Sequence, residues 1–423
     1  MNGDIRYTNN SRQTFIFHGK GLDYFFISLV NVLLSIITLG GYIPWAVVRS
    51  RRYVYENMEL NGARFGYHAK GGALFISFWL MSIILFVVIY TAEMLHSLLG
   101  YIAIFLLMLI MPFFMVKSLQ YNALMTTLNN IRFAFHCSMK KAWWVMMGLP
   151  TLLAILLCVV LYGIGSMMFS GYNFDSLLAK IITLALLGIV GMGVSNGYVY
   201  AKWLSLIGKG GQFGVHKFDI RVSTKYCIKA CLFSLGILVP FMGLMFYLLS
   251  ISNSSMAMLH TINGSEDFEP SGFPGQILLC YLLYIGGILI SSAYLWQAFR
   301  NHLMNGLTLA EGRIRFTSTL TFYGVVIQLV LLVFVSGITL GLAYPWMKIR
   351  FIRYQALHTH VEGDLDDVVL TDHDEQVEKG FIALLSRGVM PIAPFISNQK
   401  AGLCFGLYLL LSSFSCHTIT FLC

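Results

Sequence analysis

The sequence predicts a polytopic α-helical membrane protein with about six full spans plus two broken or re-entrant segments, linked by short repeated cytoplasmic β-like cassettes. Three observations predict it. Of the 423 residues, 57% are hydrophobic and 11% charged, against about 25% charged in soluble domains. The apolar residues gather into long runs, among them Trp144 to Ile164, Ile181 to Val194 and Ile277 to Ile290, the form of spanning helices of about 20 residues. Between these runs a basic and aromatic cassette recurs.

The cassette reads Phe15-Ile16-Phe17-His18, Arg64-Phe65-Gly66-Tyr67-His68, Arg132-Phe133-Ala134-Phe135-His136, Lys217-Phe218-Asp219-Ile220-Arg221 and Arg313-Ile314-Arg315-Phe316-Thr317. Two apolar residues flank one variable position, the period of a half-buried strand. Each copy precedes a hydrophobic run. Each later copy follows a helix that runs on into a basic stretch, as at Pro44-Trp45 to Tyr53 and Pro345-Trp346 to Tyr354.

Lys and Arg accumulate around the cassettes, whereas the loops near Glu93, near Asp175 and from Ser252 to Gln276 have almost none. The positive-inside rule then puts the cassettes and the N-terminus in the cytoplasm. Asn2 to Lys20 is polar, so no cleavable signal peptide is expected and the first apolar segment serves as the targeting signal. Consecutive cassettes on one side require an even number of crossings between them. Phe75 to Val116, Trp144 to Tyr200 and Cys231 to Leu295 each hold two spans. Tyr24 to Val48 and Phe322 to Trp346 are long enough for one span or two half-spans, and re-entrant hairpins restore parity; the alternative is a continuous helix kinked at Gly and Pro.

These two short segments resemble each other. Ser35-Ile36-Ile37-Thr38-Leu39-Gly40-Gly41-Tyr42-Ile43-Pro44-Trp45 matches Ser336-Gly337-Ile338-Thr339-Leu340-Gly341-Leu342-Ala343-Tyr344-Pro345-Trp346 at seven of eleven positions. Paired interrupted helices point to a transporter site. The expected substrate pathway is therefore Asn31, Thr38, Gly40, Pro44, Gln328, Thr339, Gly341 and Pro345. Ser and Thr that bond helix backbones and pack tightly are the plainer alternative.

At Asn31 to Gly40, Tyr42 to Trp45, Arg52-Tyr53, Asn57-Met58-Glu59, Tyr121 to Met125, Trp143-Trp144, Arg300-Asn301-His302, Gly312 to Phe316, Gly363 to Asp367 and Ser386 to Pro391, the chain resembles the YjgN family. These are bacterial inner-membrane proteins whose domain carries an unknown-function label. The resemblance runs from Phe15 to about Ile396 and makes residues 1–396 one multi-pass membrane domain. It implies a multi-pass protein of the bacterial inner membrane and no established activity or catalytic residue. Residues 397–423 form a hydrophobic extension outside the family pattern.

No enzyme is expected: GxSxG, HExxH, P-loop and strand-to-helix GxGxxG patterns are missing from the sequence. No cofactor or metal is expected either. His18, His68 and His136 are a candidate metal or pH-responsive set, because they occupy one slot in three successive cassettes. Arg221 and Thr317 fill that slot in the other two. The eight cysteines show no CxxC or zinc spacing and read as reduced and apolar. A net charge of +9, without basic runs interleaved by aromatics, reports topology rather than nucleic acid. The acidic segment 362–380 reads as solvated and cytoplasmic. Expected partners are the lipid bilayer, a small solute and a second copy in a homo-oligomer. Two functions remain open: a small-solute transporter or channel built on the broken segments, or a noncatalytic envelope scaffold or regulator that binds a cytoplasmic partner or anionic lipid.

Overall fold

The computed structural model describes residues 12–93, 98–170, 177–263, 274–363 and 383–387. Each cassette forms a strand: β2 (Ile16–Phe17), β4 (Ala63–Tyr67), β6 (Ile131–Phe135), β8 (His216–Ile220) and β10 (Ile314–Ser318). A helix pair follows each one, and the chain returns through a second, shorter strand. These are β3 (Met58–Leu60), β5 (Thr126–Leu128), β7 (Gly211–Phe213), β9 (Leu307–Leu309) and β11 (Thr359–Glu362), with β1 (Arg12–Thr14) ahead of the first cassette. The repeating unit is strand, helix, helix, strand.

All strand pairings are antiparallel, in the order β1-β11-β10-β9-β8-β7-β6-β5-β4-β3-β2. β1 and β2 are consecutive, so one stretch of chain pairs with both β11 and β3. The sheet is thereby a nearly closed barrel, and Phe15 N–H donates across the joint to Thr359 O at 3.3 Å. Tight turns lie on one rim and helix pairs leave from the other. Asn61 and Gly62 (φ 51° and 77°) and Asn129 and Asn130 (φ 51° and 62°) take the left-handed conformation that two-residue hairpin turns require.

The fifth cassette is offset from its sequence alignment. Its turn is longer: Leu309 pairs with Ile314, whereas Leu60 pairs with Ala63. The residues equivalent to Arg64-Phe65-Gly66-Tyr67-His68 are therefore Arg315-Phe316-Thr317-Ser318-Thr319. The hydrogen bonds that close each repeat prove the register. His18, His68, His136, Arg221 and Thr319 N–H groups donate to the carbonyls of Asn57, Met125, Gly210, Gly306 and His358 at 2.7 to 3.0 Å. The histidine slot is thus completed by Thr319, not Thr317.

This register puts Phe15, Phe65, Phe133, Phe218 and Phe316 in one layer. Phe15 stacks on Phe65 at 6.2 Å, Phe65 on Phe133 at 6.3 Å, and Phe218 meets Phe316 at 5.9 Å. Leu60, Leu128, Phe213, Leu309 and Val361 lie opposite them in the register and are buried. Fully burying each such side chain contributes roughly 1.5–3 kcal/mol, so this layer anchors the barrel end.

The helices are α1 (Gly21–Ile37), α2 (Ile43–Glu56), α3 (Gly71–Glu93), α4 (Leu98–Met125), α5 (Met139–Trp143), α6 (Leu149–Phe169), α7 (Leu177–Gly210), α8 (Thr224–Asn263), α9 (Pro274–Gly306), α10 (Phe322–Ile338) and α11 (Tyr344–Leu357). A π-turn at Trp144–Gly148 joins α5 to α6. Among the described residues six helical stretches are long and apolar enough to cross a membrane: Gly71–Thr91, Leu98–Met125, Met139–Phe169, Ala179–Gly210, Thr224–Ser250 and Leu278–Gly306. They make three consecutive pairs.

The helices follow one another around a ring in chain order, and α11 packs against α1. The closing joint repeats the first one. Trp45 of α2 lies 5.1 Å from Phe75 of α3, and Trp346 of α11 lies 5.1 Å from Phe25 of α1. Gly71 and Gly21 sit beneath these indoles, where any Cβ would collide. Hydrogen bonds repeat likewise. Arg52 donates to Ala69 O at 3.0 Å, Asn301 to Leu320 O at 2.8 Å, and Arg353 to Gly19 O at 2.9 Å, each reaching the next repeat. The protein is a pseudo-five-fold ring closed by its first and last elements.

Candidate functional site

The two short segments are helical hairpins, side by side in the ring because α11 contacts α1. Tyr53 OH, near the end of α2, both accepts from Lys20 N–H (2.8 Å) and donates to Lys20 O (3.0 Å), just before α1. Nearer the turn, Asn31 Nδ2 reaches Ala46 O and Ser50 Oγ, both at 3.3 Å. The chain therefore runs out along α1 and back along α2, as its flanking strands β2 and β3 also require. Tyr354 OH meets Thr321 Oγ1 at 3.2 Å in the second hairpin.

The turns themselves are near copies. Thr38 Oγ1 donates to Leu34 O (2.6 Å) and accepts from Tyr42 N–H (2.9 Å). Thr339 Oγ1 donates to Val335 O (2.7 Å) and accepts from Ala343 N–H (3.1 Å). Gly40 and Gly341 have φ of 90° and 89°, a region open to glycine, and their N–H groups bond Ser35 O and Ser336 O, both at 2.7 Å. Leu39 and Leu340 form the tips at φ 49° and 50°, 90% and 94% exposed. Each threonine hydroxyl is engaged as donor and acceptor by its own turn.

Pro44 and Pro345 have equivalents elsewhere in the ring. Counted back from Met58, Thr126, Gly211, Leu307 and Thr359, where the second strand of each repeat begins, the same position holds Pro44, Pro112, Gly197, Ala293 and Pro345. All five are buried. At Gly197 a Cβ would meet the backbone of Ile228 on α8, so this position serves close helix approach. Asn31 is 5% exposed. Gln328 is half-buried on α10, remote in sequence from either turn.

The histidine slot does not converge. His18 Nε2 lies 2.8 Å from Glu59 Oε2, His68 Nε2 lies 3.0 Å from Thr127 Oγ1, and all three rings are exposed at successive strand ends. Among the described residues no group of three or more His, Cys, Asp or Glu side chains stands close enough to hold a metal ion. The acidic segment from 364 onward and the extension 397–423 lie outside the described residues.

Sequence reasoning missed two further features. First, the recurring basic residues, already visible as a pattern, fall at equivalent positions in register. Arg49, Lys117, Lys202 and Arg350 occupy one position on four second helices, and Arg64, Arg132, Lys217 and Arg315 occupy one position on four cassette strands; all but half-buried Lys117 are exposed. The signal was present in the spacing to the following strand. Second, the barrel joint carries polar contacts. Arg300, 0% exposed, donates to Thr359 Oγ1 at 3.0 Å, and His360 Nδ1 lies 2.9 Å from Thr14 Oγ1 between β11 and β1. Burial first, then the positive charges of Arg12 and His358, hold His360 below the ordinary histidine value, with Glu362 opposing.

The fold and its apolar helices define a polytopic helical membrane protein. The chain belongs to the family described as "Bacterial protein of unknown function (DUF898)", whose model matches residues 12–380. It is 44% identical over 398 residues to the Inner membrane protein YjgN of Salmonella typhimurium, covering 94% of this chain and 100% of the relative. It is 40% identical over 386 residues to the Inner membrane protein YjgN of Escherichia coli K12, covering 90% and 97%. No solved structure matches.

Proposed function

We propose that the chain is a noncatalytic scaffold of the inner membrane that gathers anionic phospholipid around the barrel end of its ring. The observation that carries this reading is the repetition of exposed cations at equal height: Arg49, Lys202 and Arg350 on the helices, with Arg64, Arg132, Lys217 and Arg315 on the strands beyond them. Cations spaced around a ring at the end of apolar helices match a layer of anionic headgroups, each contributing about 1 kcal/mol near such a surface. The positive-inside rule then makes the barrel end cytoplasmic. The apolar fill of the barrel supports scaffolding over conduction along the ring axis. In the test, purified protein in mixed phosphatidylglycerol and phosphatidylcholine nanodiscs is scored for retained lipid. Wild type enriches phosphatidylglycerol and the triple variant Arg49→Gln, Lys202→Gln, Arg350→Gln loses most of that enrichment; equal retention by both contradicts the reading.

A second reading, passage of a small solute between the broken segments, is favoured by the adjacency of the two hairpins. Cysteines replacing Thr38 and Thr339, in a chain without its native cysteines, then react with small aqueous thiol reagents. Complete protection rejects that passage.

A further inference from the structure

Where later repeats meet, the second helices touch through large aromatic rings. Tyr200 of α7 lies 4.7 Å from Phe299 of α9, and Trp296 of α9 lies 5.3 Å from Phe351 of α11. Counted from the strand that follows each helix, the corresponding pair at the junction of the first and second repeats is Val47 and Ser118. Two small side chains stand where those two junctions have large ones; the junction of the second and third repeats carries Met115 and Trp203, and the closing junction Lys348 and Ser50. Ser118 is nevertheless 2% exposed, so something else covers it.

Residues 383–387 supply a cover. Leu385 is 5% and Ser386 1% exposed. Leu385 packs with Phe78 and Met81 of α3 and Phe114 of α4, and Ile43 of α2 and Met111 border the same cluster. The Arg387 guanidinium lies 5.1 Å from the Tyr121 ring centroid. Phe114, Ser118 and Tyr121 share one face of α4, since residues three and four apart on a helix are neighbours. The segment therefore runs along that face from Phe114 to Tyr121, and Ser118 lies between its two contacts.

We propose that the groove formed by α2, α3 and α4 is a docking site for the chain's own segment 383–387, which acts as a separable plug where the two later junctions use aromatic pairs. A covalent connection to β11 keeps the segment at high local concentration, on the order of millimolar for short linkers, so modest contacts suffice. Small side chains at Val47 and Ser118 leave room for a peptide against α4. An aromatic side chain in place of Ser118 competes with the plug by filling the space from the helix itself.

The test uses the full chain without native cysteines and with Ser386→Cys as a reporter. With Ser118 present, a water-soluble maleimide labels the reporter slowly; Ser118→Phe raises the rate at least tenfold while the protein still elutes as one species. Unchanged labelling overturns the proposal. Leu385→Asp, which leaves the ring helices untouched, gives the same release and decides the matter if the Ser118→Phe chain does not fold. In a separate chain, Met111→Cys with Leu385→Cys is joined by a short bifunctional thiol reagent. Failure of that cross-link also overturns docking in the groove.

Discussion

The two short hairpins and the three long helix pairs hold their place in the ring by different means. Long pairs pack helix on helix through small residues. Gly188 and Gly191 of α7 face Leu161 and Leu157 of α6, and Gly287 of α9 faces Phe241 and Leu238 of α8; Gly193 and Gly197 of α7 pack one long pair on the next, with Gly197 against the Ile228 backbone of α8. Short hairpins rely on a turn whose hydrogen bonds are satisfied internally and on an indole at the barrel end. The joint of each short hairpin to the next repeat lies at that end, in the contacts of Trp45 on Phe75 and Trp346 on Phe25. The far ends of a helix pair can therefore shorten without opening the ring.

The largest expected effect falls where one long pair packs on the next. Gly197→Leu forces side-chain atoms into the Ile228 backbone; overpacking typically costs about 1–3 kcal/mol and sometimes more, and thermal unfolding in detergent reports it as a marked loss. A similar loss at exposed Gly163, where a Cβ would meet nothing within 4 Å, would break the distinction between packed and open glycines. Next, Gly341→Val puts a β-branched residue at φ 89°, where strain is of order 1–3 kcal/mol. Thr339→Val removes the hydroxyl that bridges the turn and costs about 1 kcal/mol. Leu340→Gly relieves a left-handed leucine on a 94% exposed tip and leaves stability equal or slightly higher, by less than about 1 kcal/mol.

The smallest effect concerns the barrel joint. His360 binds protons less readily when folded than when unfolded, so its contribution is present above the unfolded value and lost as pH falls through the depressed folded one. Acidification from neutral toward pH 5 therefore lowers the protection of the Phe15 and Thr14 amides against hydrogen exchange, measured relative to their intrinsic rates at each pH. His360→Gln removes that pH dependence; its persistence in the variant assigns the effect to another group.

Much of the ring was legible in the sequence. Apolar runs located the three long pairs, and the Thr-Leu-Gly and Pro-Trp matches located the short hairpins. The return strands were not: Met58–Leu60 and Thr126–Leu128 are only three residues each, too short for a periodic signal. Their turns did carry one, because Asn61-Gly62 is a strong hairpin dipeptide. The fifth cassette looked aligned at Ile314 and Phe316, since both are apolar at period two; only the longer turn from Ala310 to Arg313 shifts its register. The site was less legible. Thr38 and Thr339 read as polar groups within apolar segments, and sequence cannot tell a hydroxyl aimed at a ligand from one spent on its own helix. Ring closure joins residues far apart in the chain, such as Trp346 and Phe25, and leaves no local pattern.

The central claim is that all five helix pairs leave and return on one side. Single cysteines at Arg12, Asn61, Asn129, Val215, Glu311 and Glu362, each in a cysteine-free chain, test it through labelling by a membrane-impermeant thiol reagent in intact cells and in inverted vesicles. The ring predicts that all six behave alike, and the proposed orientation makes them protected in cells and labelled in vesicles. Opposite behaviour of Arg12 and Asn61, or of Glu311 and Glu362, would show that a short hairpin crosses the membrane and would contradict the closed ring.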